Sequence, residues 1–371
     1  MGASILEHFS TLEDPRIERG KEHQLLDIVV LAICAVVCGA EGWEAIELFG
    51  RTKLEWLRRY IPLANGIPAH DTLARVLSRI SAHGFEQCFA SWVSACAEVS
   101  EGEVVAIDGK TLRRSHDRRS RRSALHLVSA WATGNGMVLG QRKTADHSNE
   151  LEAIPKLLQV LELKGCIVTI DAMGCQTEIA AQIVAQKADY VLAVKGNQGE
   201  LYDELRDFFN TARAAQFRGV KHTYHETVDK GHGRIEVRRH WLSPVLTGIA
   251  RPERWQQLQT IGLVESERHL GEKVSIEQRY YICSFDRGAP VFADAVRRHW
   301  GIENSLHWVL DMTFREDESR LRRGEAAQNF AVLRRMALNL LKRETTLNKS
   351  VKQRRMKAGW DEVYLAKVLF N

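Results

Sequence analysis

Apolar and polar positions change rhythm three times along the chain. From residue 5 to about 100, apolar residues recur at three- and four-residue spacing, the period of a helix buried on one face. Gly42, Pro62, Gly66, Pro68 and Gly84 punctuate this stretch, which predicts a helical domain over 1–100 built from several helices. Asp71 and Thr72, just after Pro68, are placed to cap a helix through Leu73, Val76, Leu77 and Ile80. The run Ile28–Ala40 is apolar but only thirteen residues long. A membrane span needs roughly 20, so the run predicts a buried helix.

From Val104 the pattern is mixed. VVAID is a short apolar run ending in an acid, and ALHLVSAWA and GMVLGQRK follow, joined through Thr133, Gly134 and Asn135 as in a hairpin. Glu150–Leu163 has helical spacing, CIVTID reads as a buried strand, Thr177–Lys187 suits a helix and DYVLAVK is a further strand. Three strands, helix, strand, helix, strand is the order of an RNase H-like fold, an α/β architecture with a mixed sheet flanked by helices. Residues 199–288 alternate in the strand manner and predict a β-rich insertion that splits this domain. Helical periodicity returns over Val291–Leu310 and Glu325–Lys342, closing a domain over 101–345. Residues 346–371 read as a basic tail, with Lys349, Lys352, Arg354, Arg355 and Lys357.

Composition narrows the class only a little. The 371 residues are 44% apolar, enough for two or three domains with real cores. The net charge of +5 is too small to mark a nucleic-acid protein by itself. Seven cysteines form no CxxC pair, and Cys34 and Cys38 lie inside an apolar run, so reduced, packed thiols are expected. The first residues lack a basic-then-apolar leader, and a cytoplasmic protein without a membrane span is expected.

The distribution of charge says more than its sum. KTLRRSHDRRSRR, residues 110–122, carries seven Lys or Arg against one Asp. Placed just after the first strand, Lys110, Arg113 and Arg114 are candidate phosphate contacts of the salt-dependent, sequence-independent kind. A solvated loop is the bland alternative. Lys195 ends a buried strand and is a weaker candidate. Arg234 and Arg238 share one strand face, with Ile235 and Val237 on the other, and are weak candidates for DNA contact.

Asp108 and Asp171 occupy equivalent places. Each ends a short apolar strand and is followed by turn-compatible residues, IDGK and IDAMG. Functional groups collect at the carboxyl ends of strands in open α/β sheets. Two acids side by side repel unless a cation sits between them or one is protonated. Hard divalent cations suit carboxylate oxygens and leave positions for water and phosphate. For either Asp alone, a strand-terminating cap explains as much; the pairing favours metal chemistry. A third acid is expected from the late helix, where His299, Glu303, His307 and Asp311 recur every four residues. Spacing narrows it to Glu303 or Asp311 and does not choose. Dinucleotide, phosphate-loop and HExxH motifs are absent.

The segments AIDGKTLRRS, HSNELEAIPKLL, TIDAMGCQTEIA, DYVLAVKGNQ and HWGIENSLHWVLDMTFREDESR resemble those of bacterial insertion-sequence transposases of the H-repeat-associated type, in the DDE superfamily. DPR at Asp14–Arg16, HQLLDIVVLAICAVVCGAEGW and GIPAHDTLARV resemble the helical domain that precedes the catalytic one there. The resemblance spans nearly the whole chain. It implies a metal-binding triad of Asp108, Asp171 and Glu303, which makes Asp311 a neighbour. It also implies two divalent ions, Mg²⁺ or Mn²⁺, and double-stranded DNA, both element terminal repeats and target, as partner. A homodimer on DNA and association with the nucleoid when DNA is bound follow from the same resemblance. The broader group carries Tyr and Arg before the Glu and Lys after it; here Val296, His299 and Leu310 stand there. His299 is a candidate phosphate contact in place of the Arg. Two other readings remain: a metal-dependent nuclease without strand transfer, and a DNA-binding relic or repressor without catalysis.

Overall fold

The computed structural model describes residues 5–97, 100–116, 123–144, 150–231 and 233–370. Parts of the basic stretch (117–122) and of HSNELEAIPKLL (147–149) lie outside the described residues. Among the described residues there are nine strands: β1 Val104–Thr111, β2 His126–Ala132, β3 Met137–Lys143, β4 Ile167–Ile170, β5 Asp189–Val194, β6 Thr223–Gly231, β7 Arg234–Ser243, β8 Thr260–Leu270 and β9 Lys273–Cys283. They form one mixed sheet in the order β3-β2-β1-β4-β5-β9-β8-β7-β6. β1, β4 and β5 run parallel, β2 and β3 are antiparallel, and β9 returns antiparallel to β5. With helices between β3, β4 and β5, this is the RNase H-like arrangement expected from the strand and helix order.

Residues 199–288, read as a β-rich insertion, also contain a helix. They open with a 16-residue helix, Gly199–Ala214, because Leu201, Leu205, Phe209 and Ala212 make a buried stripe at helical spacing. The four strands after it extend the main sheet through the β5–β9 pairing.

Contacts divide the chain into two compact units. One comprises residues 99–108 and 162–302. Its core joins Val104, Ile167, Val191, Leu242, Val264 and Tyr281 to one face of the helix Ala289–His299, through Phe292, Ala295 and Val296. The approach is close: a Cβ added at Gly262 would lie 2.6 Å from the Phe292 ring.

The other unit comprises residues 1–98, 109–161 and 303–371. The helix Leu25–Val37 is buried over nearly its whole length, as its apolar run predicts, and contacts the helix Ala326–Arg343. The helix expected to be capped by Asp71 or Thr72 starts at His70, whose backbone N–H donates to Glu47; neither predicted side chain caps it. The tail read as basic is folded. A capping box at Ser350 and Gln353 opens the helix Val351–Trp360, and the helix Glu362–Phe370 buries Tyr364, Leu365, Val368 and Leu369. Charge counting hid that apolar spacing. Among the described residues, no helix is long and apolar enough to cross a membrane.

Candidate active site

Two of the predicted acids meet in one unit. β1 and β4 pair in parallel with Ile107 opposite Ile170, and Asp108 and Asp171 are the next residue on each strand. Both carboxylates are half-buried, Asp171 just past the end of β4 and Asp108 within β1, which runs on to Thr111 instead of ending at the acid. Asp171 also caps the turn Ala172–Gly174, its Oδ1 accepting the Met173 N–H at 3.0 Å. The turn-capping role weighed for this residue is therefore present. Asn197, just beyond β5, donates to the carbonyl of Ala172 at 2.6 Å, and Gln198 donates to that of Cys175 at 2.9 Å. These bonds tie the loop carrying Lys195 to the loop carrying Asp171.

The third acid belongs to the other unit. Glu303 opens a π-helical turn, Glu303–His307, which runs into the helix Trp308–Phe314. Such turns insert a residue into a helix and rotate the later side chains about its axis. The four-residue stripe seen in the sequence is accordingly uneven: Glu303 is exposed, His307 buried and Asp311 half-buried. Ile302, Leu306 and Leu310 supply the buried side, whereas Trp300 and Trp308 are exposed. His307 Nδ1 lies 3.6 Å from Glu303 Oε2. Burial, assisted by Arg335 and Lys110, holds the His307 ring down to about 4, so it is neutral at pH 7.

Below that turn lies a buried charge network that sequence reasoning missed. Lys110 Nζ is 2.8 Å from Asp311, 3.0 Å from Asp317 and 3.8 Å from Glu316. Glu316 is fully buried and paired with the equally buried Arg335 at 2.8 Å. Burial works to raise the Glu316 pKa, but Arg335, Arg334 and Lys110 overcome it and hold it below its usual value. Burial raises Asp311, partly opposed by Lys110. A second cluster surrounds Gly109: Thr111 Oγ1 is 2.7 Å from His126 Nδ1, and His126 Nε2 is 2.8 Å from Glu150 Oε1. A side chain on Gly109 would meet Glu150 at 1.8 Å. The only sequence sign of either cluster was the IDGK string itself.

The predicted basic contacts fall into two groups. Lys195, Arg113 and Arg114 are exposed, although Arg113 also pairs with Asp317 at 3.2 Å. Lys110, by contrast, is buried among carboxylates. Arg238 pairs with Asp229 and Glu236, and Arg234 lies 3.7 Å from Glu236. His299 Nδ1 is 3.0 Å from Thr169 Oγ1, and burial, opposed by nearby Asp171, holds its ring down to about 4. It is uncharged at neutral pH. All seven cysteines are unbridged, as expected.

Asp108 and Asp171, taken together, suit a hard divalent cation. The donors are carboxylate oxygens within reach of solvent, the set that Mg²⁺ and Mn²⁺ prefer.

The family model described as Transposase DDE domain matches residues 100–340, and that described as DDE_Tnp_1-associated matches residues 6–93. The chain therefore belongs to the DDE transposase family: it is an enzyme of the DNA-transposing class. It is 45% identical over 370 residues to the "Putative transposase YncI" of Escherichia coli O157:H7, covering 99% of this chain and 94% of that one. It is 42% identical to the "H repeat-associated putative transposase YhhI" of Escherichia coli K12, covering 98% and 97%. Among solved structures, a piggyBac transposase synaptic complex with hairpin DNA matches at a TM-score of 0.46 and 12% identity, covering 98% of this chain and 76% of that one. Membership in the family implies dependence on divalent metal ions and DNA as the partner.

Proposed function

We propose that the enzyme nicks the ends of its own mobile element and joins the freed 3′-hydroxyls to target DNA, using Asp108, Asp171 and Glu303 as the metal-binding triad. The observation that carries this reading is the register of β1 and β4, in which Asp108 and Asp171 each directly follow the paired Ile107 and Ile170. Two divalent ions, Mg²⁺ or Mn²⁺, held by these carboxylates would supply Lewis-acid activation of the attacking oxygen and stabilisation of the leaving one. The chain's own part is to hold and orient. Asp108 and Asp171 supply fixed carboxylates on rigid strands, and Glu303 completes the set from its π-helical turn. Exposed Lys195, Arg113 and Arg114 take up phosphate charge. Lys110 and His299 are left out of that role, the first because it is buried among acids and the second because its ring is neutral. Each transfer conserves one phosphodiester, so no nucleotide cofactor is required. Holding two element ends calls for two subunits on DNA.

The test is cleavage and strand transfer on DNA carrying the flanking terminal repeats, comparing the intact protein with Glu303→Gln in Mg²⁺ or Mn²⁺. The variant is expected to bind DNA normally and to lose both reactions by orders of magnitude. Equal cutting by both proteins would remove Glu303 from the triad. Binding without cutting by either would favour the relic or repressor, and cleavage without joined products the nuclease.

A further inference from the structure

β6 is the outermost strand of the sheet, and most of its side chains are exposed. Its nine residues pair with β7 without a register break, from Thr223 opposite Leu242 to Gly231 opposite Arg234. Seven of the nine are exposed, and only His225 and Thr227 are half-buried. Proteins blunt a long edge strand with proline, a bulge or a covering element, because a free row of N–H and C=O groups recruits another strand. β6 contains no proline and no bulge.

The side chains on this edge are complementary to themselves. Glu226, Val228 and Lys230 alternate onto one face of the strand. When β6 is laid antiparallel against a second β6 with Val228 at the centre, Glu226 meets Lys230 at both ends. Val228 meets Val228, and Thr227 meets Asp229 twice. Moving the centre to Asp229 sets Asp229 against itself; moving it to Thr227 sets Glu226 against Val228. Only the Val228 register pairs opposite charges symmetrically, and cross-strand pairs of this kind are the stabilising unit of a sheet. On the same face, Ile235 on β7 and Val274 and Ile276 on β9 remain exposed at 39%, 54% and 61%. Within each copy Glu226 also accepts from Arg239 at 3.0 Å, and Asp229 is paired with Arg238.

We propose that β6 is a homodimer seam, in which the outer strands of two copies pair antiparallel about Val228 and continue the sheet from one subunit into the other. The seam lies in a part of the chain that supplies none of the three acids, and it stands or falls separately from them.

The test needs neither DNA nor metal. Sedimentation equilibrium of the full chain at tens of micromolar should show a dimer. Lys230→Glu turns both cross-strand contacts into Glu–Glu pairs, and Glu226→Lys turns them into Lys–Lys pairs. Each variant alone should dimerise about tenfold more weakly or worse. An equimolar mixture of the two should recover the wild-type dimer, because opposite charges then meet at both ends. A monomeric wild type, variants that dimerise as well as the wild type, or a mixture that stays monomeric would each overturn the seam. Hydrogen exchange of wild-type β6 amides gives a check that requires no variant: their protection should rise with protein concentration, and concentration-independent exchange would count against the proposal.

Discussion

Lys110 Nζ lies 2.8 Å from Asp311 Oδ1, and this contact joins the end of β1 to the helix that comes after the Glu303 turn. Lys110 also meets Asp317 and Glu316, which have further cations in Arg113 and Arg335, so Asp311 is the carboxylate that relies on it most. Removing one partner of a buried ionic cluster leaves the others without compensation and costs about 3–5 kcal/mol. Lys110→Met should therefore destabilise the protein by that order. Asp311→Asn should cost clearly less, since Lys110 keeps Asp317 and Glu316. Urea denaturation of the two variants checks the ranking, and equal losses would show that the lysine is not the hub.

Gly109 makes a second, purely steric demand on the same strand end. An added Cβ would lie 1.8 Å from Glu150 Oε1 and 2.5 Å from His126 Nε2. Gly109→Ala must push this pair aside, an overpacking cost of typically about 1–3 kcal/mol. It should also disturb Asp108, its chain neighbour, and lower cleavage. Shortening the obstacle should restore room, so Gly109→Ala combined with Glu150→Ala is expected to be more stable than Gly109→Ala alone. Thermal melting of the single and double variants decides the matter.

How much of this was legible in the sequence depends on range. The strands carrying the two acids were readable because apolar runs followed by an acid are local signals, although β1 runs past Asp108 to Thr111 and only β4 stops before its acid. Glu303 and Asp311 were not separable by spacing, since residues eight apart lie on one helix face. Their difference comes from a π-helical turn and from Lys110, nearly two hundred residues away in sequence. The same distance hid the role of Lys110, which a local count of basic residues assigned to DNA. Arg355 was read as tail charge for a similar reason: its partners, the carbonyls of Val36, Ala40 and Thr313, lie far from it in sequence.

Three buried histidines predict how stability varies with pH. His240, His299 and His307 are each held down to about 4, with burial the leading cause. In the unfolded chain a histidine titrates near 6.5. Between these values the unfolded state binds protons that the folded state does not, so stability is present above about pH 6.5 and is lost as pH falls toward 4. For His240, packed 6.2 Å from the Phe292 ring, the loss by pH 4 is roughly 2–3 kcal/mol. Urea midpoints measured from pH 7.5 to 4.5 should fall steadily, and His240→Gln should flatten the slope. A flat wild-type profile would show that these rings titrate normally.

Arg355 predicts which part of a buried arginine matters. Its guanidinium donates to the carbonyls of Val36, Ala40 and Thr313, and its Cζ lies 4.5 Å from the Phe314 ring centre. Val36 is at the end of the helix Leu25–Val37, whose last carbonyls have no partners within the helix and carry the negative end of its dipole. Burial lowers the Arg355 pKa only to about 10, so the group stays charged at neutral pH. Arg355→Met keeps the apolar stem but abandons all three carbonyls, and should cost about 3 kcal/mol or more. Arg355→Lys keeps the charge but not the planar fork, so it reaches fewer acceptors and should recover only part of the loss. Full recovery by lysine in urea denaturation would mean that charge at the helix end is sufficient; no recovery would mean that the fork geometry carries the contact.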